Sequence, residues 1–247
     1  MAVPATAIVK FGSTSTTMLV ATRLDQPEIR EQRLFRLFEP GGFDELVHFA
    51  RDLSQTSESR GVQPVAAGGE AFRLHPHWEQ QLKALFPRWW HLSAQEEGRL
   101  AWLAVKAERP YTDVVIDIGG GSTEIISHHA AWSISQGAAR PSLSLADTPD
   151  LSQFQSPVFI GGTAVSLATW ANRHMLVPKD IADLQLTLQT GQADLPPWDS
   201  VRRKILPAGL ALMSALVERS AFAHFEVSQR GLTEGLWLAS SLGRGGC

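Results

Sequence analysis

At 247 residues, with 44% apolar and 19% charged side chains, the chain can bury a substantial core as two compact lobes or one large domain. A formal net charge of −3 leaves no global electrostatic footprint for nucleic acid or an anionic membrane, so a bound polyanion needs a local positive field. The single cysteine, Cys247, excludes an intrachain disulfide, and no Cys/His spacing suggests a zinc site.

Three strands are predicted first, Thr6–Phe11, Thr16–Arg23 and Arg30–Phe38, the first two joined by the polar turn Gly12-Ser13-Thr14-Ser15. The opening eleven residues lack the basic region and long apolar core of a signal peptide. After Gly41-Gly42, the stripe Leu46, Val47, Phe49, Ala50 and Leu53 predicts a helix over Phe43–Ser54. A strand at Val62–Ala67, a helix at His77–Phe86 and a helix from Ala94 to about Ala107 follow. Near Pro110 the order restarts. The β-branched run Asp113–Ile118 predicts a strand, Gly119-Gly120-Gly121 a turn, and Ser122–Ser127 and Ala131–Gln136 two more strands. Pro157–Ile160 reads as a short strand entering Gly161-Gly162 and a helix over Thr163–Asn172. Helices are predicted over Lys179–Gln189 and Trp198–Arg219, the second broken near Pro207, with the loop-like Thr190–Trp198 between them. A strand, Phe225–Val227, and a helix, Leu232–Leu242, close the chain. The longest apolar stretch, around Gly209–Val217, is far too short to span a bilayer, and a cytoplasmic protein is the expectation.

Strand, Gly/Ser/Thr turn, strand thus occurs twice, at Phe11–Thr16 and at Ile118–Thr123. Superposing Gly12 on Gly119 sets Lys10 opposite Asp117. The repeat predicts two lobes, 1–110 and 111–247, each opening with a phosphate-gripping hairpin; in the first, Gly12 and Ser13 form the grip.

The segment Asp117-Ile-Gly-Gly-Gly-Ser-Thr-Glu124 carries the clearest chemistry. Its glycines permit backbone conformations closed to other residues and remove side chains that would block a ligand. The amides of Gly119, Gly120 and Gly121, with the hydroxyls of Ser122 and Thr123, suit phosphate oxygens. Asp117 and Glu124 are hard oxygen groups suited to a hydrated Mg²⁺. The bland alternative is a glycine-rich hairpin with an acid at its edge; the flanking Asp and Ser-Thr-Glu weigh against it. Gly161-Gly162-Thr163 opens a helix whose N-terminus suits a phosphate, although an ordinary strand–helix turn reads the same way. Ser93 and Glu96 have capping-box spacing, which engages Glu96 and leaves Glu97 as the free carboxylate of that helix's first turn. Such a group can orient or deprotonate a water, or merely complement the helix dipole. The eight histidines include no helical i, i+4 pair beside an acid, and the eight tryptophans are assigned to the core.

Together these segments resemble the exopolyphosphatase/guanosine pentaphosphate phosphohydrolase (Ppx/GppA) family. Asp117–Glu124 is similar to the family's second phosphate loop almost residue for residue, and Ser93-Ala-Gln-Glu-Glu-Gly-Arg-Leu100 to the segment that carries its general base. Ile160-Gly-Gly-Thr-Ala-Val-Ser-Leu-Ala168, Gln136-Gly-Ala-Ala-Arg140, Pro207-Ala-Gly209 and Ser228-Gln-Arg-Gly-Leu-Thr-Glu-Gly-Leu236 resemble further family segments. The resemblance implies an α/β, two-lobed actin-like (ribonuclease H-like) ATPase fold, each lobe a mixed sheet flanked by helices. It also implies hydrolysis of a terminal phosphoanhydride of polyphosphate or a phosphorylated guanosine nucleotide with Mg²⁺. Glu97 would be the base, Asp117 and Glu124 would hold the metal, and Gly12, Ser13, Gly119–Thr123 and Gly161–Thr163 would bind phosphate. Nucleic acid and membrane are not implied partners, and a homodimer is left open.

Three departures bear on catalysis. The family's Asp-x-Gly-Ser-Asn-Ser loop is Lys10-Phe-Gly-Ser-Thr-Ser15 here, so a metal-associated acid has become a base, a candidate modulator of Mg²⁺ binding that either pairs with Asp117, contacts a phosphate directly or extends into solvent. Its Thr-Ser-Ala-x-Arg stretch is Ala67-Gly-Gly-Glu-Ala71, without the arginine, and its closing Arg-Glu-Gly is Thr233-Glu-Gly235. The alternative to an enzyme is therefore a degenerate homologue that binds phosphate ligands or a protein partner without turnover.

Overall fold

A computed structural model describes residues 5–140, 145, 148–191, 195–220 and 222–242. Cys247 and the middle of the predicted loop at 190–198 lie outside the described residues. Two compact units are present: Met1–Ala104 with Leu232–Cys247, and Val105–Gly231.

In the first unit, β1 (Thr6–Phe11), β2 (Ser15–Ala21) and β3 (Ile29–Leu34) form an antiparallel meander. Parallel strands β4 (Val65–Gly68) and β5 (Trp89–Trp90) extend it, giving the order β3-β2-β1-β4-β5. Side chains alternate between the faces of a strand, and here both faces are covered. Val9, Phe11, Met18 and Val20 join Leu46, Phe49 and Leu53 of α1 (Gly42–Ser59), whereas Ile8, Leu19, Ala21, Val65 and Ala67 join Leu232 and Leu236 of α8 (Leu232–Ser241). Trp237 Nε1 also donates to the Ala21 carbonyl at 2.9 Å, and Glu234 pairs with Arg30 at 2.5 Å. The closing helix therefore packs with the first unit rather than with the 111–247 segment to which chain order assigned it. Without α8 the Ile8 face of this sheet would lose Leu232, Leu236 and Trp237 from its apolar cover. The division between units also falls earlier than Pro110, inside α4 (Ala94–Glu108).

The second unit repeats the plan. β6 (Val114–Ile118), β7 (Thr123–Ser127) and β8 (Ala131–Ile134) are an antiparallel meander, and β9 (Pro157–Ile160) and β11 (Phe225–Val227) add in parallel. A two-residue antiparallel strand, β10 (Met175–Leu176), forms the edge, and the order is β10-β11-β9-β6-β7-β8. Helices α5 (Gly161–Ala171), α6 (Pro178–Thr190) and α7 (Ser200–Ser220) supply its core with Leu167, Leu184, Leu210 and Met213. The series β8-β7-β6-β9-β11 matches β3-β2-β1-β4-β5, so the duplication visible in the two hairpins extends through both sheets. Register makes the match specific: Lys10 faces Thr17 as Asp117 faces Glu124.

Some short elements escape the sequence pattern. α2 (Glu70–Leu74), β5 and β10 contain too few residues to show a period. The break predicted at Pro207 is absent, because α7 runs through it with Pro207 exposed and Leu206, Gly209 and Leu210 buried. Packing of that face offsets the interior-proline penalty of about 3 kcal/mol. Among the described residues no helix is long and apolar enough to cross a membrane.

Candidate functional site

The β6–β7 hairpin is closed by the Gly119 amide donating to the Ser122 carbonyl at 3.0 Å, with Gly120 and Gly121 at its tip. The following segment braces this loop from behind. Ala138 and Ala139 donate their amides to the carbonyls of Gly119 and Gly120 at 2.9 and 2.8 Å. A methyl on Gly137 would stand only 2.6 Å from the Gly120 carbonyl, so glycine is required there for backbone to touch backbone. Thr123 is wholly buried and donates its hydroxyl to the Gln136 carbonyl at 2.8 Å. Ser122 donates to Glu124 Oε1 at 2.6 Å. The two hydroxyls expected on phosphate oxygens are thus engaged in holding the loop and its acid. What the tip offers an anion is amide N–H: among the described residues, no backbone carbonyl accepts from Gly120 or Gly121.

Asp117, at the end of β6, lies against the start of α5. A methyl on Gly161 would approach Asp117 Oδ1 to 2.6 Å and the Ile118 carbonyl to 2.5 Å, and Gly161 has φ +86°. Only a residue without Cβ fits this turn. Gly162 is covered by the guanidinium of Arg202, whose nitrogens would stand 2.1 and 2.4 Å from a methyl at that position. Burial pushes the Arg202 guanidinium below its ordinary pKa, and Asp199 offsets part of that shift. No side chain caps α5, and its first turn has no acid, so its N-terminal dipole and Arg202 place positive potential on the same two glycines. Thr163 is wholly buried with its hydroxyl against Gly209, which leaves its backbone amide as its contribution to that turn.

Asp117 and Glu124 stand directly opposite in the β6–β7 register. Ser133 Oγ, at 3.1 Å, joins Ser122 on Glu124 Oε1 and fixes the orientation of that buried carboxylate. Two hard carboxylates side by side fit Mg²⁺, which keeps several waters and takes one or two protein carboxylates beside substrate phosphates. Among the described residues no group of three or more His, Cys, Asp or Glu offers a fuller cage.

In the first unit, β1 and β4 end side by side and bring Gly12 next to Gly69, whose amide donates to the Phe11 carbonyl at 2.8 Å. Gly12 and Ser13 are both buried at the β1–β2 turn. Lys10 is half-buried and bends over this turn, its Nζ 2.6 Å from where a methyl on Gly12 would lie. Glu97 reaches the same floor from α4, with Oε2 3.5 Å from the methyl position of Gly69. It is not the free carboxylate expected. Arg73, in the last turn of α2, forms an ion pair with Glu97 Oε1 and donates from the same nitrogen to the Leu92 carbonyl at 3.2 Å. The short helix that carries Arg73 leaves no periodic trace in the sequence, so its reach to Glu97 is unreadable there. Ala71 is buried, and the guanidinium of this segment comes from two residues further on.

Glu97 is set in place by the capping box beside it. The Ser93 amide and hydroxyl donate to Glu96 Oε2 at 2.8 and 2.7 Å, and the Glu96 amide donates to Ser93 Oγ at 3.2 Å. The backbone bond first, and then the hydroxyl, hold the Glu96 carboxyl below the ordinary carboxylate range. A depressed folded pKa contributes stability above the unfolded value and loses it as pH falls through the folded one. Ser93→Ala is therefore expected to cost about 1 kcal/mol at neutral pH and less in acid. Thermal melts at both conditions check this, and a cost independent of pH would mean that charge plays no part in the cap.

Arg202 is a site residue that the sequence motifs do not single out. A signal does exist: Arg202, Arg203 and Lys204 open α7, where cations oppose the helix dipole, and the acid beside them is Asp199, which accepts from the Arg202 amide at 2.8 Å. Such a local conflict is characteristic of functional positions.

No protein-family model matches the sequence, and no curated protein does. Among solved structures, the chain is similar to an exopolyphosphatase from Cytophaga hutchinsonii ATCC 33406, with TM-score 0.81, 14% identity, and 97% of this chain and 98% of that chain covered. It is similar to an exopolyphosphatase-like protein with TM-score 0.82 and 16% identity, over 96% of this chain and 97% of the other. The Ppx/GppA family member of Aquifex aeolicus matches with TM-score 0.72 and 20% identity, over 99% of both chains. At these identities the likeness establishes the fold: the chain has the actin-like architecture of Ppx/GppA structures.

Proposed function

We propose that the protein is a phosphohydrolase of the Ppx/GppA type, cytoplasmic, acting on terminal phosphoanhydrides of polyphosphate or a phosphorylated guanosine nucleotide. The observation that carries this reading is the cradle of the second unit. Braced loop amides, the α5 N-terminus and the Arg202 guanidinium offer positive groups beside a pair of opposed carboxylates. Phosphoryl transfer needs little covalent help from a protein; positioning and charge stabilisation supply most of the catalysis. Loop amides and Arg202 hold phosphate oxygens, Arg202 with a fork suited to two of them at once. Glu97 accepts a proton from the attacking water. The water oxygen bonds to the terminal phosphorus as the bridging P–O bond breaks, and the shortened chain leaves with its charge on the bridging oxygen. A hydrated Mg²⁺ on Asp117 and Glu124 would neutralise charge on the phosphoryl oxygens. Phosphate release from polyphosphate, pppGpp, ATP and simple esters, with and without Mg²⁺, tests the proposal; no release from any anhydride would refute it.

A second reading, phosphate binding without turnover, draws on the first unit. Lys10 stands where an acid would attract a cation, and Glu97 is paired with Arg73. Replacing an ammonium by a carboxylate reverses the sign of its interaction with a divalent cation. Lys10→Asp is expected to strengthen Mg²⁺ binding in calorimetric titrations and to raise any phosphohydrolase activity. Equal affinities in the two forms would put Lys10 outside the site.

A further inference from the structure

Within the first unit, Lys10, Arg73 and the Glu97 carboxylate lie around a floor that has no side chains. Gly12 and Gly69 form the floor, and a methyl on Gly69 would stand 3.9 Å from the Gly12 Cα. Lys10 Nζ lies over Gly12, and the Glu97 carboxylate lies over Gly69 with Arg73 holding its other oxygen. Glu97 is mostly buried, at 13% side-chain exposure, whereas Arg73 retains 30%. Arg73 is anchored independently of Glu97 by its bond to the Leu92 carbonyl. An arginine held by the backbone, paired to a carboxylate that lies over bare glycine with a lysine over the adjoining glycine, is a recognition surface for a phosphoryl group. That surface is occupied by a carboxylate belonging to the chain itself, Glu97. The neighbouring acid does not compete for it, since Glu96 is committed to Ser93.

We infer that Arg73 is an anion-binding arginine of this protein and that the Glu97 carboxylate occupies it as an internal stand-in for a phosphoryl oxygen. An arriving phosphoryl group takes over Arg73 and releases Glu97, so that ligand binding itself frees the carboxylate assigned to proton transfer. Arg73 is then a binding and positioning residue at once: it holds the base idle until an anion replaces it. The inference rests on the phosphoryl-ligand part of the reading above and not on turnover.

The test is calorimetric titration of inorganic tripolyphosphate, with Mg²⁺ chelated, into the full chain and into Glu97→Gln, Arg73→Met and the double variant. Glu97→Gln removes the internal competitor, so affinity should rise about tenfold. Arg73→Met should weaken binding about tenfold, and Arg73→Lys should restore part of it, because the charge returns without the fork. In the Arg73→Met background, Glu97→Gln should change nothing, since there is no arginine left to release. That non-additivity separates competition from plain removal of a nearby negative charge, which would tighten binding equally in both backgrounds. An equal gain in both backgrounds, no gain in either, or no binding of tripolyphosphate by any variant would overturn the inference. Thermal melts of all variants exclude unfolding as the cause of a loss. A protein that shows the coupling but releases no phosphate would keep this inference and lose the hydrolase. Turnover with additive binding effects would do the reverse.

Discussion

Glu97→Gln is expected to lower kcat for phosphate release by about 10²- to 10⁴-fold, the usual contribution of general base catalysis. The amide keeps the shape of the carboxylate and loses its capacity to take a proton from water. KM should fall and not rise, because the ion pair with Arg73 is lost with the charge and the arginine becomes available to the phosphoryl group. A change confined to transition-state stabilisation would lower kcat and kcat/KM equally. The combination of low kcat with low KM therefore distinguishes a base that also competes with substrate from a base alone. Steady-state kinetics of the two forms on the best substrate provide the check. Turnover within a factor of about three of the parent would remove Glu97 from the chemistry, since base catalysis is worth far more than that.

Gly161→Ala is expected to destabilise the protein by roughly 2–5 kcal/mol. Two costs add. A left-handed backbone, φ +86°, costs an L-residue about 1–2 kcal/mol. The new methyl would also stand 2.5 Å from the Ile118 carbonyl and 2.6 Å from Asp117 Oδ1, an overlap worth about 1–3 kcal/mol in a packed site. For a chain of this length the melting temperature should drop by roughly 5–15 °C. Gly191→Ala is the control: its φ is +64°, but nothing lies within 4 Å of the added methyl. It should lose only the backbone share, about 1 kcal/mol. If the two variants melt alike, then β6 and α5 do not meet as closely as this turn requires. Because the crowding falls on Asp117, Gly161→Ala should also weaken the Mg²⁺ binding proposed for that carboxylate, whereas Gly191→Ala should not.

Much of the second unit's site was legible from residues close in the chain. Alternating β-branched residues fix a strand, and the tight glycine turn fixes its register, so Asp117 had to face Glu124 once the hairpin formed. The same logic placed Lys10 in the position of Asp117, since both hairpins use one turn chemistry. Those relations are local: they depend on a period of two and on which residues tolerate the turn. They survive any arrangement of the rest of the chain.

Other features were decided only when distant segments packed. The closing helix went to the first sheet because Leu232 and Leu236 cover the Ile8 face, and nothing in its own amphipathic pattern says which sheet it will cover. Arg73 meets Glu97 across 24 residues, through a five-residue helix too short to show a period. Arg202 covers Gly162 from the start of a separate helix, with only an unfavourable run of cations to mark it. Long side chains reach several ångströms beyond the backbone that carries them, and their partners depend on how strands and helices stack. Local residue patterns thus set the hairpins, their registers and the acids that face each other. Packing between separate elements set which cation pairs with Glu97 and which covers Gly162, because those contacts exist only where such elements are brought within reach.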